Sequence, residues 1–129
     1  MSQLAKYLKY LMSEMDIGPW SIDIDEHHAA DDAYAEIRCT FGQRRATLRL
    51  DPGLLRQERQ VIRWVLVHEL MHIHNNPLAE AVAGLEPALG VAAHSTFQNH
   101  FKTELERAND AIATAFARHL DLPPFGKDA

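Results

Sequence analysis

Val65-Leu66-Val67-His68-Glu69-Leu70-Met71-His72-Ile73-His74 is the stretch on which the reading of this chain turns. It contains H-E-x-x-H, with His68 and His72 four residues apart. On a helix that spacing stacks both imidazoles on one face, about one turn apart. Two neutral imidazole nitrogens can then occupy two corners of a tetrahedral zinc site. Glu69, beside the first histidine, is the candidate catalytic group, placed to take a proton from a water at the open corner and pass it to a leaving group.

Chance and context both bear on so short a pattern. With eight His and nine Glu in the chain, a random H-E-x-x-H is expected roughly 0.03 times. The residues just before it (Val61, Ile62, Trp64, Val65, Leu66, Val67) are apolar nearly all round, as in a buried helix. Two His and a Glu buried there without partners would be costly. The bland alternative is a pair of core histidines satisfied by neighbouring hydrogen bonds.

The chain has 129 residues, enough for one domain and one core. A single domain is expected over residues 1–122, followed by a flexible C-terminal tail, 123–129. Apolar content of 47% and charged content of 24% are those of an ordinary globular protein. A net charge of −5 gives no indication of direct nucleic-acid binding through phosphate neutralisation. Cys39 is the only cysteine, which excludes an intrachain disulfide and a thiolate zinc knuckle and points to a reducing cytoplasm. No signal-type run and no stretch of ~20 apolar residues is present, so no membrane partner is expected.

Around the central stretch the pattern is α+β. Leu4, Tyr7, Leu8, Leu11 and Met15 recur at helical spacing, and Gly18-Pro19 stops that first helix. Trp20-Ser21-Ile22-Asp23-Ile24-Asp25 alternates as a half-buried strand does. The polar run Asp25-Glu26-His27-His28, with Asp31-Asp32, offers a second cation site on paper, but a solvated turn fits it better. Residues 34–41 and 45–50 form a hairpin around Gly42-Gln43. Asp51-Pro52 reads as an N-cap and first-turn proline, with Gly53 delaying a central helix over residues 56–74. Residues 77–93 hold a short helix in a longer connection. Ser95-Thr96-Phe97-Gln98 has the form of a capping box opening a last helix, which carries Phe97, Phe101, Leu105, Ile112, Phe116 and Leu120 and ends before Pro123-Pro124.

A catalytic zinc needs a third protein ligand. Carboxylates at Glu104, Glu106 and Asp110 and histidines at His74, His94, His100 and His119 are available. Glu106 is preferred, because Asp110 lies four residues on and shares its helix face. Glu106 would bind the metal while Asp110 accepts the ring N–H of a ligand histidine and fixes its tautomer. Glu104 is rotated by about 200° from Glu106, so both cannot serve. Glu104, His94 and His100 remain the alternatives.

His68-Glu69-Leu70-Met71-His72, followed by Glu106-x-x-x-Asp110-x-Ile112-Ala113, resembles the gluzincin metallopeptidases, whose third ligand is a glutamate on a later helix. The order helix, short β-region, H-E-L-x-H helix and glutamate helix is similar to the compact zincin-like peptidases often encoded by phages and prophages, and to ImmA/IrrE-type peptidases. The likeness spans residues 20–120. It implies a zincin-like fold, Zn2+ as cofactor, metal ligands His68, His72 and Glu106, and hydrolysis of a protein or peptide substrate by a metalloendopeptidase. The metzincin continuation is absent, since Ile73-His74-Asn75 follows the second histidine. A SprT-like protease would use a third histidine, which His94 or His100 would have to supply. No helix-turn-helix accompanies the domain, so repressor cleavage is not implied. An extended substrate would pair with an edge strand, for which 45–50 is the candidate. His74, His94 and His100 are unranked candidates for stabilising the transition state. A non-proteolytic zinc-binding interaction protein and a hydrolase of non-peptide amides are the competing readings.

Overall fold

The computed structural model describes residues 1–26 and 33–129. His27, His28, Asp31 and Asp32 of the polar run lie outside the described residues. The elements are α1 (Gln3–Glu14), β1 (Ser21–Asp25), β2 (Ala35–Cys39), β3 (Arg45–Leu50), a 3-10 turn (Pro52–Arg56), α2 (Arg59–His74), α3 (Asn76–Ala83), α4 (Glu86–Leu89) and α5 (Val91–Ala117). The α+β class expected from the pattern is what the chain adopts.

Helix α1 starts where the Ser2 hydroxyl accepts the Ala5 N–H at 3.1 Å, as an N-cap should. It buries Leu4, Tyr7, Leu8 and Leu11. The chain leaves the helix at Met15 and Asp16, with Asp16 at φ 58°. Aspartate is among the few non-glycine residues that accept this left-handed conformation.

The sheet runs in the order β1-β3-β2, with β3 parallel to β1 and antiparallel to β2. The 34–41/45–50 hairpin is present, but β3 is the central strand and both of its edges are occupied. This corrects the expectation that 45–50 is a free edge. The strand's composition explains its place: Ala46, Leu48 and Leu50 are fully buried, while Arg45 and Arg49 on the other face reach Asp23 at 3.0 Å and Asp25 at 3.7 Å on β1. Cross-strand pairs of opposite charge favour that pairing.

Helix α2 runs through the centre of the molecule. Ile62, Val65, Leu66, Val67, His68, Leu70, Met71 and Ile73 are all buried, which accounts for the all-round apolar pattern before the motif. It begins at Arg59 rather than at 56, because Asp51-Pro52 caps the 3-10 turn instead, the Asp51 carboxylate accepting the Gly53 N–H at 2.8 Å.

Glu58, at the N-cap of α2, makes no capping hydrogen bond. The Asp128 carboxylate supplies one from the other end of the chain, accepting the Arg59 N–H at 2.9 Å. That bond holds the Asp128 carboxyl below its usual range. The Lys127 N–H donates to the Gln57 carbonyl at 2.9 Å, and Phe125 meets the Tyr7 ring edge-on at 6.0 Å. Upstream, the Tyr7 hydroxyl donates to the Asp121 carbonyl at 2.8 Å and the Tyr10 hydroxyl accepts the Asp121 N–H at 2.9 Å. The tail expected to be flexible is therefore packed, because its polar groups complete the start of α2.

Two more boundaries differ from the sequence reading. The connection after α2 contains two helices, α3 and α4, rather than one. Helix α5 opens at Val91 after Gly90, whose φ is 82°, so Ser95-Thr96-Phe97-Gln98 lies inside it and caps nothing. The good helix formers Ala92 and Ala93 carry the helix back to that glycine. It ends at Ala117, and Leu120 is buried beyond it. Among the described residues, no helix is long and apolar enough to cross a membrane.

The tail's packing rests on Gly126, at φ 131°, where an added Cβ would sit 2.7 Å from Arg59 Cγ and 3.1 Å from the Gln57 carbonyl. Gly126→Ala is expected to destabilise the protein by about 1–3 kcal/mol, read as a lowered thermal midpoint. Gly18→Ala, where no atom lies within 4 Å, should leave the midpoint nearly unchanged. Equal melting of the two variants would refute the packed tail.

Candidate metal centre

Helices α2 and α5 lie side by side in opposite directions, and their contacts form three rungs. Trp64 meets Thr114, His68 meets Asp110, and His72 meets Glu106. Each step of four along α2 is matched by a step of four backwards along α5. One face of each helix is thereby presented to the other over two turns. The small buried side chains Ala113 and Ala117 allow the close approach.

At the top of this ladder Glu106 faces both imidazoles. Its Oε2 is 3.0 Å from His68 Nε2 and its Oε1 is 2.8 Å from His72 Nε2. Among the described residues, His68, His72 and Glu106 form a group that could hold a metal ion, their donor atoms all lying within 4.8 Å of one another. His68 is buried, His72 is partly so, and the Glu106 side chain is about half exposed (53%). The centre is walled by the two helices and open to solvent on the glutamate side.

Behind His68, Asp110 Oδ1 lies 2.9 Å from Nδ1. The approach is close but is not aligned along the ring N–H, so the contact is an electrostatic one rather than a formed hydrogen bond. The Trp64 ring lies against the His68 imidazole, with centroids 5.3 Å apart and planes 30° apart. Beyond the site, at the C-terminal end of α2, the side-chain amide of Asn75 donates to the fully buried Asn109 on α5.

Glu69 points to the sheet side of the same opening, where its Oε2 accepts the backbone N–H of Ile37 at 3.0 Å. Ile37 lies opposite Leu48 in the β2–β3 register, and its N–H points away from β3. That outer edge of β2 is therefore the one facing the site. Burial pushes the Glu69 carboxyl up to about 8, and the nearby Glu106 charge adds to the effect. The Ile37 hydrogen bond opposes this rise without cancelling it. For His72, burial outweighs the attraction of Glu106 and lowers its pKa, which favours the neutral imidazole that a metal requires.

The other candidates are elsewhere. Glu104 is exposed and pairs with Arg107 at 3.1 Å, on the far side of α5 as the 200° rotation implies. His94 is buried with its Nε2 2.8 Å from the Val82 carbonyl, joining α5 to α3. His74 Nε2 is 2.6 Å from the Met15 carbonyl. His100 and His119 are exposed, and neither they nor His94 belong to the group around His68 and His72. Ile37 at the site has no signal in the sequence, whereas Trp64 and Thr114 do, since Trp64 precedes His68 by four residues and Thr114 follows Asp110 by four.

The Glu69 environment has a pH signature in the metal-free protein. Its pKa is raised in the folded state from an ordinary 4.5, so the folded chain retains a proton that the unfolded chain releases. Stability from this group is full below about 4.5 and falls as pH climbs toward about 8. Glu69→Gln has no such titration and can still accept the Ile37 N–H. In chelator-treated protein, the melting midpoint of Glu69→Gln relative to wild type should rise by several degrees between pH 5 and pH 8. A difference that does not vary with pH would refute the buried environment. Comparison with protein-family models, with curated proteins and with solved structures finds no match for this chain.

Proposed function

We propose that the chain is a zinc-dependent metallopeptidase of compact zincin-like type, with His68, His72 and Glu106 as ligands and Glu69 as general base. The observation that carries this reading is the convergence of two imidazole nitrogens and a carboxylate, with a second, partly buried carboxylate near enough to feel the Glu106 charge. The donor set suits zinc, which takes imidazole and carboxylate together. Ligand atoms around a tetrahedral zinc with ~2.0–2.1 Å bonds are roughly 3.3 Å apart. The 2.8 and 3.0 Å contacts run to the two different oxygens of Glu106, and with one ligand atom from each residue the set lies within 4.8 Å, a spacing that side-chain adjustment brings to that value.

When bound, zinc supplies Lewis-acid polarisation of a carbonyl and lowers the pKa of a water at its open corner. The protein's part follows from its own groups. His68 and His72 present neutral nitrogens from one helix face, and Glu106 brings a compensating negative charge. Glu69, tethered by the Ile37 N–H, takes the proton of the attacking water and returns it to the departing amine. The outer edge of β2, where Ile37 faces Glu69, is the strand on which an extended peptide would lie by β-augmentation. A neighbouring cation favours ionised Glu69, so loading the site switches the carboxyl toward the form that accepts a proton.

A site kept for structure alone is the competing reading. It has no use for a partly buried carboxylate near the ligands, where desolvation without function only costs stability. Glu69→Gln separates the two. Hydrolysis of an unfolded protein or a mixed peptide pool should fall at least 100-fold, with zinc content unchanged. Activity retained in Glu69→Gln, or absent from the zinc-loaded wild type, would reject the peptidase. For the ligands, Glu106→Ala should lose stoichiometric zinc by elemental analysis while Glu104→Ala keeps it; the reverse result would reassign the third ligand.

A further inference from the structure

Four residues from the two helices close a ring of contacts below the candidate metal. The Trp64 indole N–H donates to Thr114 Oγ1 at 3.0 Å, and the Thr114 hydroxyl donates to the Asp110 carbonyl at 2.8 Å. Asp110 Oδ1 stands 2.9 Å from His68 Nδ1. The His68 ring returns to Trp64 by lying against its face. The Thr114 hydroxyl is the joint: its bond to the carbonyl one turn back fixes its rotamer and aims its lone pair at the indole.

We propose that Trp64 and Thr114 are positioning residues, which set the orientation of the His68 imidazole, and through it the affinity for a divalent cation. This rests on the reading of His68, His72 and Glu106 as metal ligands. His68 is held on three sides: Nε2 faces Glu106, Nδ1 faces Asp110, and one ring face lies on Trp64. A ring held this way has little rotational freedom left to lose when a metal arrives, which is how a supporting shell raises affinity. The Trp64–Thr114 hydrogen bond, one turn away, keeps the indole against the face of that ring.

The location of the rung makes the claim separable from ordinary stabilisation. The Trp64–Thr114 hydrogen bond is solvent-exposed, so water can replace either partner and its loss should barely move global stability. The test uses the full chain and Zn2+ competed against a chromophoric chelator. Thr114→Val, which keeps the shape and removes the hydroxyl, should weaken zinc binding about tenfold. Thr114→Ser, which keeps the hydroxyl, should bind as wild type. Trp64→Phe, which keeps a ring on His68 and removes the N–H, should match Thr114→Val. The double variant should be no weaker than either single one, because both remove the same bond.

Melting of the metal-free proteins is the second readout. Thr114→Val should melt as wild type, so a lowered midpoint with unchanged zinc affinity would assign the rung to structure alone and overturn the proposal. His68→Ala is the reference for the site itself. Stoichiometric zinc retained there would overturn the metal centre. Zinc lost there but bound normally by both Thr114→Val and Trp64→Phe would overturn the positioning role only.

Discussion

The antiparallel register of α2 on α5 is the constraint on which the site depends. Two helices that step by four residues in opposite directions present a ladder of facing positions, and here every rung carries a polar pair. A helix turns about 100° per residue, so the arrangement has no gradual failure. Sliding one helix by a single position would replace Glu106 with Leu105 or Arg107 and bring no carboxylate to the histidines. The apolar side of α2 resists such a slide, because Leu66, Val67 and Leu70 are already locked in the core.

The sheet contributes in a different way. Its central strand fixes β2, and the outward N–H of Ile37 on β2 reaches Glu69. The glutamate is thus referenced to the sheet while its neighbouring histidines are referenced to α5. The centre is assembled on α2 between two supports, the sheet and α5, neither of which alone defines an opening. The raised pKa of Glu69 belongs to this junction, where a carboxyl is drawn into partly buried space with another carboxylate nearby.

Residues whose role depends on helical period were legible in the sequence. His68 and His72 at i and i+4, Glu106 and Asp110 at i and i+4, and the rule that Glu104 and Glu106 cannot both serve all follow from one number, 3.6 residues per turn. Boundaries set by long-range partners were not legible. Ser95-Thr96-Phe97-Gln98 has capping chemistry, but Gly90 and the alanines before it let the helix begin earlier. The start of α2 lacks a local side-chain cap, because Asp128 supplies it from 69 positions away. The 45–50 strand alternates as any half-buried strand does, and alternation does not distinguish the middle of a sheet from its edge. The Ile37 contact was hidden for a related reason, since a backbone N–H leaves no mark on residue identity.

The cap that Asp128 places on Arg59 also orders events in time. A ribosome delivers residues 59–74 well before residue 128, and contacts across such a span form late because the intervening chain must first be brought together. The helix that bears H-E-L-M-H therefore emerges with its first turn incompletely satisfied. Its final N-terminal bond waits until α5 and the segment after it have emerged. Maturation of the helix that bears the histidine pair is coupled to synthesis through position 128, and a nascent fragment lacking that position holds the pair before the fold around it is closed.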